Sequence, residues 1–486
     1  MKRSAVFLVW VVLLSASLVV WPAPTAGAQQ GAWQLGPAST FQYQRFDGIF
    51  VPGQEGDPWA NKVYFMGGRT SASTELPDIW SFDPLAGAYA DTGANMIEDV
   101  SNYNGNLILD DGTGRGPAIY VVGGYDRDVS ASNIRLIQRY YPQTNEIESL
   151  ATGDNWPGTV AGYAVAGMGT GVVNDIIYVF GGWENTTPPY FSSETWAFDP
   201  NQPSGYRWTN LNVALGVGRT YIQAAVQSGL IYSVGGISGY VGGDLVPTDV
   251  VEVFDPAAWW NGWTVLAPLP VPTAEGRGFG FQYDTLGANA PLDGKIYIAG
   301  GGDWPDISAE VMEYDVASNT WNQGFPDLNI PRVNLAGTFI PLCTDNPDDG
   351  LPGIWVFGGR SYNGCDPPYG PAEYYPLQCE EATMHVGGID GYFSYDPYGR
   401  TLLRIHVLIE DGAGAPLGDV QVDGSIWAPN SGPHYRSRMT KSSGYARFHW
   451  GASAAGDWQI CVEDLARSGY TYVPDDNVVT CQTWQN

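Results

Sequence analysis

Positive charge is scarce along the 486 residues of this chain. Lysine and arginine together number 22 against 51 aspartates and glutamates, and the formal net charge at pH 7 is −29. The four lysines are Lys2, Lys62, Lys295 and Lys441. Such an acidic surface repels phosphate backbones and anionic membrane surfaces. Nucleic acid is therefore not an expected partner. The excess of carboxylates indicates a well-solvated surface in an extracellular or saline setting.

Long apolar runs are also rare, and the one that stands out lies at the start. The run from Ala5 to Val20 follows Met1-Lys2-Arg3 and precedes Ala26-Gly27-Ala28, which is the arrangement of a secretory signal peptide. We expect residues 1–28 to be this signal peptide, with cleavage after Ala28; an uncleaved membrane anchor is the alternative. No second apolar span follows, so the mature protein is expected to be secreted without a membrane span.

Cysteine is infrequent, with five residues in the chain. In a secreted protein we expect such cysteines to form disulfides rather than to bind a metal. Cys461 and Cys481 lie in two strand-like runs and are the natural pair. We favour Cys365–Cys379 as a second pair, because both flank one long loop. Cys343 then remains, either in an intermolecular bridge or as a buried free thiol.

The sequence contains a clear internal repeat. Six apolar runs end in Gly-Gly, and an aromatic-Asp/Tyr-Pro/Val step follows each of them about fifteen residues later. The glycine pairs are Gly67-Gly68, Gly123-Gly124, Gly181-Gly182, Gly235-Gly236, Gly300-Gly301 and Gly358-Gly359. A period of roughly fifty to sixty residues is typical of propeller blades, and the 29 tyrosines and 19 tryptophans favour strands.

This repeat closely resembles the kelch repeat. The resemblance implies an all-β fold with a six-bladed kelch β-propeller over residues 29–390. Repeat six lacks its fourth strand, and the segment starting at Trp33 has the character of the fourth strand starting at Trp263. We therefore expect the N-terminal strand to pair into blade six and close the ring, which removes an open sheet edge.

The pattern changes after about Arg400. Apolar residues alternate with polar ones from Leu403 to Ile409, which is typical of a half-buried strand, and further short runs follow. Residues 391–486 are therefore predicted to form a small β-sandwich. The module resembles bacterial immunoglobulin-like or carboxypeptidase-regulatory-like domains, which usually act as spacers or packing partners.

In a propeller, the residues after the Gly-Gly steps converge on one mouth of the central channel. The ligand-binding residues expected from this position are Arg69, Tyr125, Trp183, Ile237 with Tyr240, Trp304 and Arg360. Segments before the inner strands add Arg219, Arg277 and Arg332, although arginine at this place in kelch repeats also pairs with carbonyls or carboxylates between blades. Arginine binds carboxylates through two parallel hydrogen bonds, and aromatic rings stack on sugars. The sequence thus predicts a binding protein for a carbohydrate or an extracellular protein.

Two enzyme families on this scaffold provide the alternative. Radical-copper galactose oxidases join a kelch propeller to a sandwich, but they need a Tyr-His pair that is absent here, and this chain has four histidines: His385, His406, His434 and His449. Six-bladed kelch mutarotases of sialic acid fit better, and their acid–base chemistry would need a carboxylate beside an arginine. Glu184, Glu275 and Asp303 are the candidates by position.

One loop is rich in oxygen ligands. Asp345, Asp348 and Asp349 surround Pro347, and such a loop can hold Ca²⁺. No bidentate glutamate follows at the spacing of an EF-hand, so a solvated turn is the other interpretation. No metal or other cofactor is assigned to the protein on the basis of its sequence.

Overall fold

The computed structural model describes residues 31–486, except for 55, 72–73, 127–131, 159–164, 185–189, 242–243, 282–293, 304–305, 343–350, 361–369, 378–381, 396–400, 413, 419, 442, 452–454 and 468–469. The predicted signal peptide therefore lies outside the described residues, as do Cys343, Cys365, Cys379, Trp304, Asp345, Asp348 and Asp349.

The protein is all-β. The helices within the described ranges are short 3-10 turns at Thr152–Asp154, Pro256–Asn261 and Pro474–Asp476. No helix in these ranges is long and apolar enough to cross a membrane.

Six antiparallel sheets of four strands follow one another along the chain. Sheet 1 contains Gly48–Val51, Lys62–Met66, Asp78–Asp83 and Ala88–Asn95; sheet 2 contains Gly105–Ile108, Ala118–Val122, Ile137–Tyr141 and Glu146–Ser149; sheet 3 contains Gly169–Val173, Ile176–Phe180, Glu194–Phe198 and Trp208–Ala214. Sheet 4 contains Gln223–Gln227, Leu230–Val234, Val251–Phe254 and Trp263–Val265; sheet 5 contains Arg277–Phe279, Lys295–Ala299, Val311–Asp315 and Thr320–Asn322; sheet 6 contains Ala336–Ile340, Gly353–Phe357, Pro371–Pro376 and Gln34–Ala38.

The last strand of sheet 6 comes from the N-terminal end of the described chain. Gln34–Ala38 pairs antiparallel with Pro371–Pro376, with Gln34 opposite Tyr374. Trp33, just before this strand, is 5% exposed and donates a hydrogen bond from Nε1 to the carbonyl of Pro326 at 2.9 Å. Its ring centroid lies 5.9 Å from that of Tyr375. This strand occupies the edge of the sheet that the sixth repeat leaves open.

The Gly-Gly steps connect each sheet to the next. The second glycine of each pair donates its N–H to a carbonyl just before the first strand of the following sheet; these acceptors are Val100, Val165, Arg219, Thr273, Arg332 and, for sheet 6, Tyr43 of the segment that leads into sheet 1. All twelve glycines have a positive φ. A Cβ on Gly358 would lie 2.4 Å from the carbonyl oxygen of Tyr43, so only glycine fits this close approach. The first strands of the sheets also contact one another in chain order, and those of sheets 6 and 1 meet.

A short hairpin, separate from the four-stranded sheets, follows each of five Gly-Gly steps. The hairpins are built from Arg69–Ser71 with Thr74–Glu75, Tyr125–Asp126 with Ser132–Asn133, Trp183–Glu184 with Tyr190–Phe191, Ile237–Val241 with Asp244–Pro247, and Gly302–Asp303 with Asp306–Ile307. Val165–Ala166 adds a third strand to the hairpin that begins at Trp183.

The C-terminal region consists of two further sheets around one core. The first sheet has the order Tyr445–Gly451, Thr401–Asp411, Ala382–Tyr395 and Tyr470–Tyr472; the second has the order Ser431–Met439, Gln421–Ala428, Asp457–Ala466 and Cys481–Gln485. Buried side chains from both sheets, such as Ile405 and Ile460, form the core between them. The sulfur atoms of Cys461 and Cys481, the pair expected from the sequence, lie 2.10 Å apart.

The expected boundary between residues 390 and 391 falls inside a strand and needs correction. Ala382–Tyr395 is continuous and pairs with Thr401–Asp411 from Met384 to Tyr395. Met384, Val386 and Ile389 are buried in the core of the two C-terminal sheets, which we call the sandwich. The sandwich therefore begins by Ala382.

Candidate functional site

A closed ring of backbone hydrogen bonds surrounds one end of the central cavity. Its members lie two or three residues before the first strands of the six sheets: Arg45, Asn102, Gly167, Tyr221, Glu275 and Asn334. Each member donates its N–H to the carbonyl of the member from the preceding sheet, at 2.6 to 3.5 Å, and Arg45 donates to Asn334. We call these six residues the mouth ring. All six line a cavity at this end of the channel.

Every member of the mouth ring has a left-handed backbone, with φ between 53° and 60°. Glycine and asparagine adopt this conformation readily, whereas Arg45, Tyr221 and Glu275 do so at a cost of about 1 kcal/mol or more each. Strained residues of this kind concentrate at binding and catalytic sites, where the surrounding structure holds them in place. The mouth ring is therefore the main candidate for a binding or catalytic site.

The side chains of the mouth ring form one polar network. Arg45 Nη1 lies 3.1 Å from Glu275 Oε1 and donates a hydrogen bond to Asn102 Oδ1 at 2.7 Å. Asn334 Nδ2 donates to the other carboxylate oxygen of Glu275 at 3.1 Å. The guanidinium carbon of Arg45 is 5.4 Å from the centre of the Tyr221 ring. Burial disfavours the charged form of Arg45, but Glu275 and Tyr221 outweigh it and raise the pKa of Arg45.

Two more arginines stand directly behind the ring. Arg69 pairs with Gln44 and Arg360 with Val333, in each case with the residue that precedes a ring member. Burial lowers the pKa of both, and the positive charge of Arg45 lowers it further. The carboxylate of Glu75 lies 3.6 Å from Arg69 Nη1 and also accepts a hydrogen bond from Ser101 Oγ at 3.0 Å. This side of the mouth is therefore positively charged, within a strongly acidic protein.

The other side of the mouth presents aromatic rings. Tyr125 stacks on Trp183 with ring centroids 5.8 Å apart, and Phe191 stacks on Tyr240 at 5.7 Å. Tyr240 is 50% exposed. These rings belong to the hairpins beside sheets 2, 3 and 4, whereas Arg69 and Arg360 follow the Gly-Gly steps of sheets 1 and 6. The mouth thus has a cationic half and an aromatic half.

An ion pair crosses the channel below the mouth ring. Arg277 Nη1 of sheet 5 lies 2.8 Å from Asp47 Oδ1, in the segment leading into sheet 1. Asp47 also accepts hydrogen bonds from the N–H groups of Gly48 and Gly105, at 2.8 and 2.9 Å. Burial raises the pKa of Asp47 despite these interactions. Beyond the pair, the first strands of all six sheets line a cavity of about 300 Å³.

Two arginines expected at the mouth are instead buried inside the protein. Arg219 and Arg332 are fully buried and form ion pairs with Glu252 at 2.8 Å and Glu373 at 2.6 Å. Arg332 also donates to the carbonyl of Gly358 at 2.8 Å. Because both guanidinium groups are buried and held by buried carboxylates, their expected binding role is corrected to the structural role that the kelch pattern also allowed.

Two of the three candidate carboxylates lie away from the mouth ring. Glu184 is fully buried, in a strand that pairs with Val165–Ala166. Asp303 lies in a hairpin. Its neighbour Gly302, rather than Asp303, pairs with Ala274, the residue that precedes ring member Glu275. The sequence placed this position one residue too late because sheet 5 has three consecutive glycines. Glu275 alone of the three belongs to the ring.

Sequence reasoning missed five members of the ring, namely Arg45, Asn102, Gly167, Tyr221 and Asn334. One signal was available: four of the six ring members are followed three positions later by glycine, at Gly48, Gly105, Gly278 and Gly337. These glycines lie where inner strands crowd together, since a Cβ on Gly278 would be 2.5 Å from the carbonyl of Ala224. The ring positions themselves differ in residue type from repeat to repeat.

No metal-binding cluster of histidine, cysteine or acidic residues occurs within the described ranges. All four histidines lie on strands of the sandwich, and none is among the residues lining the mouth. The geometry therefore does not fit the copper site of the oxidase alternative.

Comparison with known proteins identifies the repeat. A family model described as "Kelch motif" matches residues 164–211 and 288–324. Kelch-like protein 4 of Homo sapiens is 32% identical over 95 residues, which is 20% of this chain and 11% of the length of that relative. A solved structure entitled "Structure of YjhT" is similar with a TM-score of 0.50 and 16% sequence identity, covering 69% of this chain and 95% of that chain. At that identity the likeness shows the fold alone, a propeller with kelch repeats.

Proposed function

We propose that this kelch-repeat protein is a secreted binding protein that takes a carboxylate-bearing carbohydrate or protein ligand at the mouth ring. The scaffold we propose is a six-bladed propeller, closed by the strand Gln34–Ala38 and followed by an immunoglobulin-like sandwich. The observation that supports the ligand class most strongly is the convergence of Arg45, Arg69 and Arg360 on one half of the mouth.

The charge balance of the mouth favours an anion. Among the described side chains, the guanidinium groups of Arg45, Arg69 and Arg360 lie near the carboxylates of Glu75 and Glu275. Burial and repulsion between the arginines lower the pKa of Arg69 and Arg360, as expected for crowded guanidinium groups. A carboxylate placed between these arginines would relieve the repulsion, and arginine can bind it through two parallel hydrogen bonds.

The aromatic half of the mouth favours a ligand with a flat, partly apolar body. The exposed ring of Tyr240 and the stacked pair of Tyr125 and Trp183 offer faces on which a sugar ring can pack. An acidic sugar has both features, a carboxylate and a pyranose face. An acidic peptide with an aromatic side chain has them as well, and it is the ligand to test second.

A glycan array with purified protein tests this proposal. The variant Arg69→Gln with Arg360→Gln should lose roughly 100-fold in affinity for any acidic glycan that binds, because each guanidinium makes a charge-assisted hydrogen bond. The matched control is Lys62→Gln with Arg115→Gln, which removes the same charge from pairs with Asp83 and Glu146 away from the mouth. Equal loss in the control would refute a specific site. An array without any hit would direct the search to acidic protein partners.

A sugar-active enzyme of the mutarotase type is the second candidate. The observation in its favour is that Glu275, a carboxylate in the mouth, lies 3.1 Å from Arg45 and donates its N–H to the carbonyl of Tyr221. Such a carboxylate can transfer a proton while an arginine holds the substrate anion. The protein should then accelerate anomer exchange of a sugar acid such as sialic acid, measured by NMR. Glu275→Gln should lower that rate by about 10²- to 10⁴-fold while binding persists. No acceleration by the wild type removes this candidate.

A further inference from the structure

Four arginines of the sandwich reach solvent around one strand, Tyr445–Gly451. Arg447 lies on the exposed face of this strand, and Arg404 lies on the same face of the adjacent strand, opposite His449. Arg436 and Arg438 come from the edge strand of the other sheet. Their guanidinium carbons lie 4.5 Å and 5.9 Å from the ring centres of Trp450 and Phe448. We call these four arginines the basic edge.

None of the four makes an ion pair with any described carboxylate. Arg404 Nε donates to Ser394 Oγ at 3.0 Å, and Arg436 and Arg438 each donate to the carbonyl of the preceding residue at 2.8 Å. The acidic residues nearest in register are Asp390, opposite His406, and Asp423, opposite Ser437. In a chain with 51 carboxylates and 22 lysines and arginines, these four guanidinium groups keep their charge available to an anion from outside the protein.

Exposed aromatic rings lie near these arginines. Tyr392 lies opposite Arg404 and is 52% exposed, and Tyr435, next to Arg436 in the edge strand but on its other face, is 67% exposed. His434 stacks on Trp450 with ring centroids 4.8 Å apart. A surface that combines guanidinium groups with ring faces suits a ligand that carries both anionic groups and flat sugar rings.

We propose that the basic edge is a second binding site, separate from the mouth, for an acidic polysaccharide. The overall charge of −29 favours this ligand over other polyanions. A membrane or a second copy of the chain would bring an extended anionic surface against the acidic remainder of the protein. A single polysaccharide strand needs to approach only the basic edge, and repulsion from more distant carboxylates is screened beyond about 10 Å.

The test measures binding of the mature full-length protein to immobilised polygalacturonate, with neutral dextran as the reference polymer. Wild type should bind polygalacturonate but not dextran, and binding should weaken as salt is added. The variant Arg436→Gln with Arg438→Gln, and the variant Arg404→Gln with Arg447→Gln, should each reduce affinity about tenfold. All four substitutions together should reduce it further, whereas four lysine substitutions should restore much of it.

The control separates this site from a general loss of positive charge. Lys62→Gln with Arg115→Gln, which removes two charges from the propeller, should leave polygalacturonate binding intact. The proposal is overturned if wild type does not bind, or if the fourfold glutamine variant binds as tightly as wild type. It is equally overturned if the basic edge instead mediates binding to anionic vesicles or self-association by sedimentation. Glycan binding at the mouth can fail without affecting any of these results.

Discussion

The positively charged side chains of the propeller sheets and those of the sandwich are held in different ways. In the propeller, most described cations form ion pairs with carboxylates, many of them buried, whereas Arg135 donates to the carbonyls of Trp156 and Pro157. The pairs are Arg45–Glu275, Lys62–Asp83, Arg69–Glu75, Arg115–Glu146, Arg139–Asp111, Arg207–Asp154, Arg219–Glu252, Arg277–Asp47, Lys295–Glu313 and Arg332–Glu373. In the described part of the sandwich, the contact at ion-pair distance is between His385 Nε2 and Glu410 Oε2, at 3.8 Å, and no described arginine or lysine takes part in one.

This difference separates structural arginines from arginines available to a ligand. A buried guanidinium with a buried carboxylate, such as Arg219 with Glu252, can hardly exchange its partner for a ligand. Among the described side chains, the mouth brings Arg45, Arg69 and Arg360 together near Glu75 and Glu275, and at the basic edge no described carboxylate is paired with an arginine. Whether a guanidinium group is held in a buried pair is thus a better guide to binding in this protein than the number of arginines.

Breaking a buried pair in the propeller should have the largest effect. Arg332→Leu leaves the carboxylate of Glu373 buried without its guanidinium and removes the hydrogen bond to the carbonyl of Gly358. We expect a loss of about 3–5 kcal/mol in the free energy of unfolding, measured by denaturant titration. Adding Glu373→Leu should recover a large part of that loss. A loss below about 1 kcal/mol in the single variant would contradict the structural role assigned to Arg332.

The strand that completes sheet 6 should contribute almost as much to the stability of the fold. Trp33→Ala removes a buried ring and its hydrogen bond to Pro326, so we expect a loss of about 3–5 kcal/mol. Leu35→Ala on the same strand is the matched control, because Leu35 is 54% exposed and should change stability by less than about 0.5 kcal/mol. Deleting residues 31–39 should destabilise the propeller at least as strongly. Unchanged melting after that deletion would disprove the closing role.

The sequence predicts the positions that every repeat shares, but not the positions at which the repeats differ. The Gly-Gly steps were predictable because every repeat needs the same close approach, for example at Gly358 beside the Tyr43 carbonyl. The position of Arg332 before an inner strand allowed a structural role from the sequence alone, but only tertiary packing determines that its partner is Glu373. Arg45 and Tyr221 were missed because the ring position has no shared residue type. The repeat thus predicts the scaffold, whereas the site lies where the repeats differ.

The paired carboxylates of the propeller should also make its stability depend on pH. Burial alone would raise the pKa of Asp111, but hydrogen bonds from Thr113, Tyr141 and Tyr120 outweigh it and hold the pKa below its usual value. A carboxyl with a lower pKa in the folded state stabilises the fold above its unfolded pKa of about 4, and this contribution is lost as the pH falls through the folded value. Asp111→Asn should therefore cost about 1–3 kcal/mol at neutral pH and less in acid, measured by denaturant titration at both pH values. An equal cost at both would contradict the assignment.

We expect the smallest effect on the free energy of unfolding at the basic edge of the sandwich. Arg404→Gln with Arg447→Gln removes two exposed arginines that have no carboxylate partner among the described residues. The free energy of unfolding should change by less than about 0.5 kcal/mol. Arg139→Gln, which breaks contacts with Asp111 at 3.3 Å and with Glu148, should cost more, about 1–3 kcal/mol. If the sandwich variant proved the less stable of the two, its arginines would be structural after all, because stability would then depend on contacts within the chain rather than on an external anion.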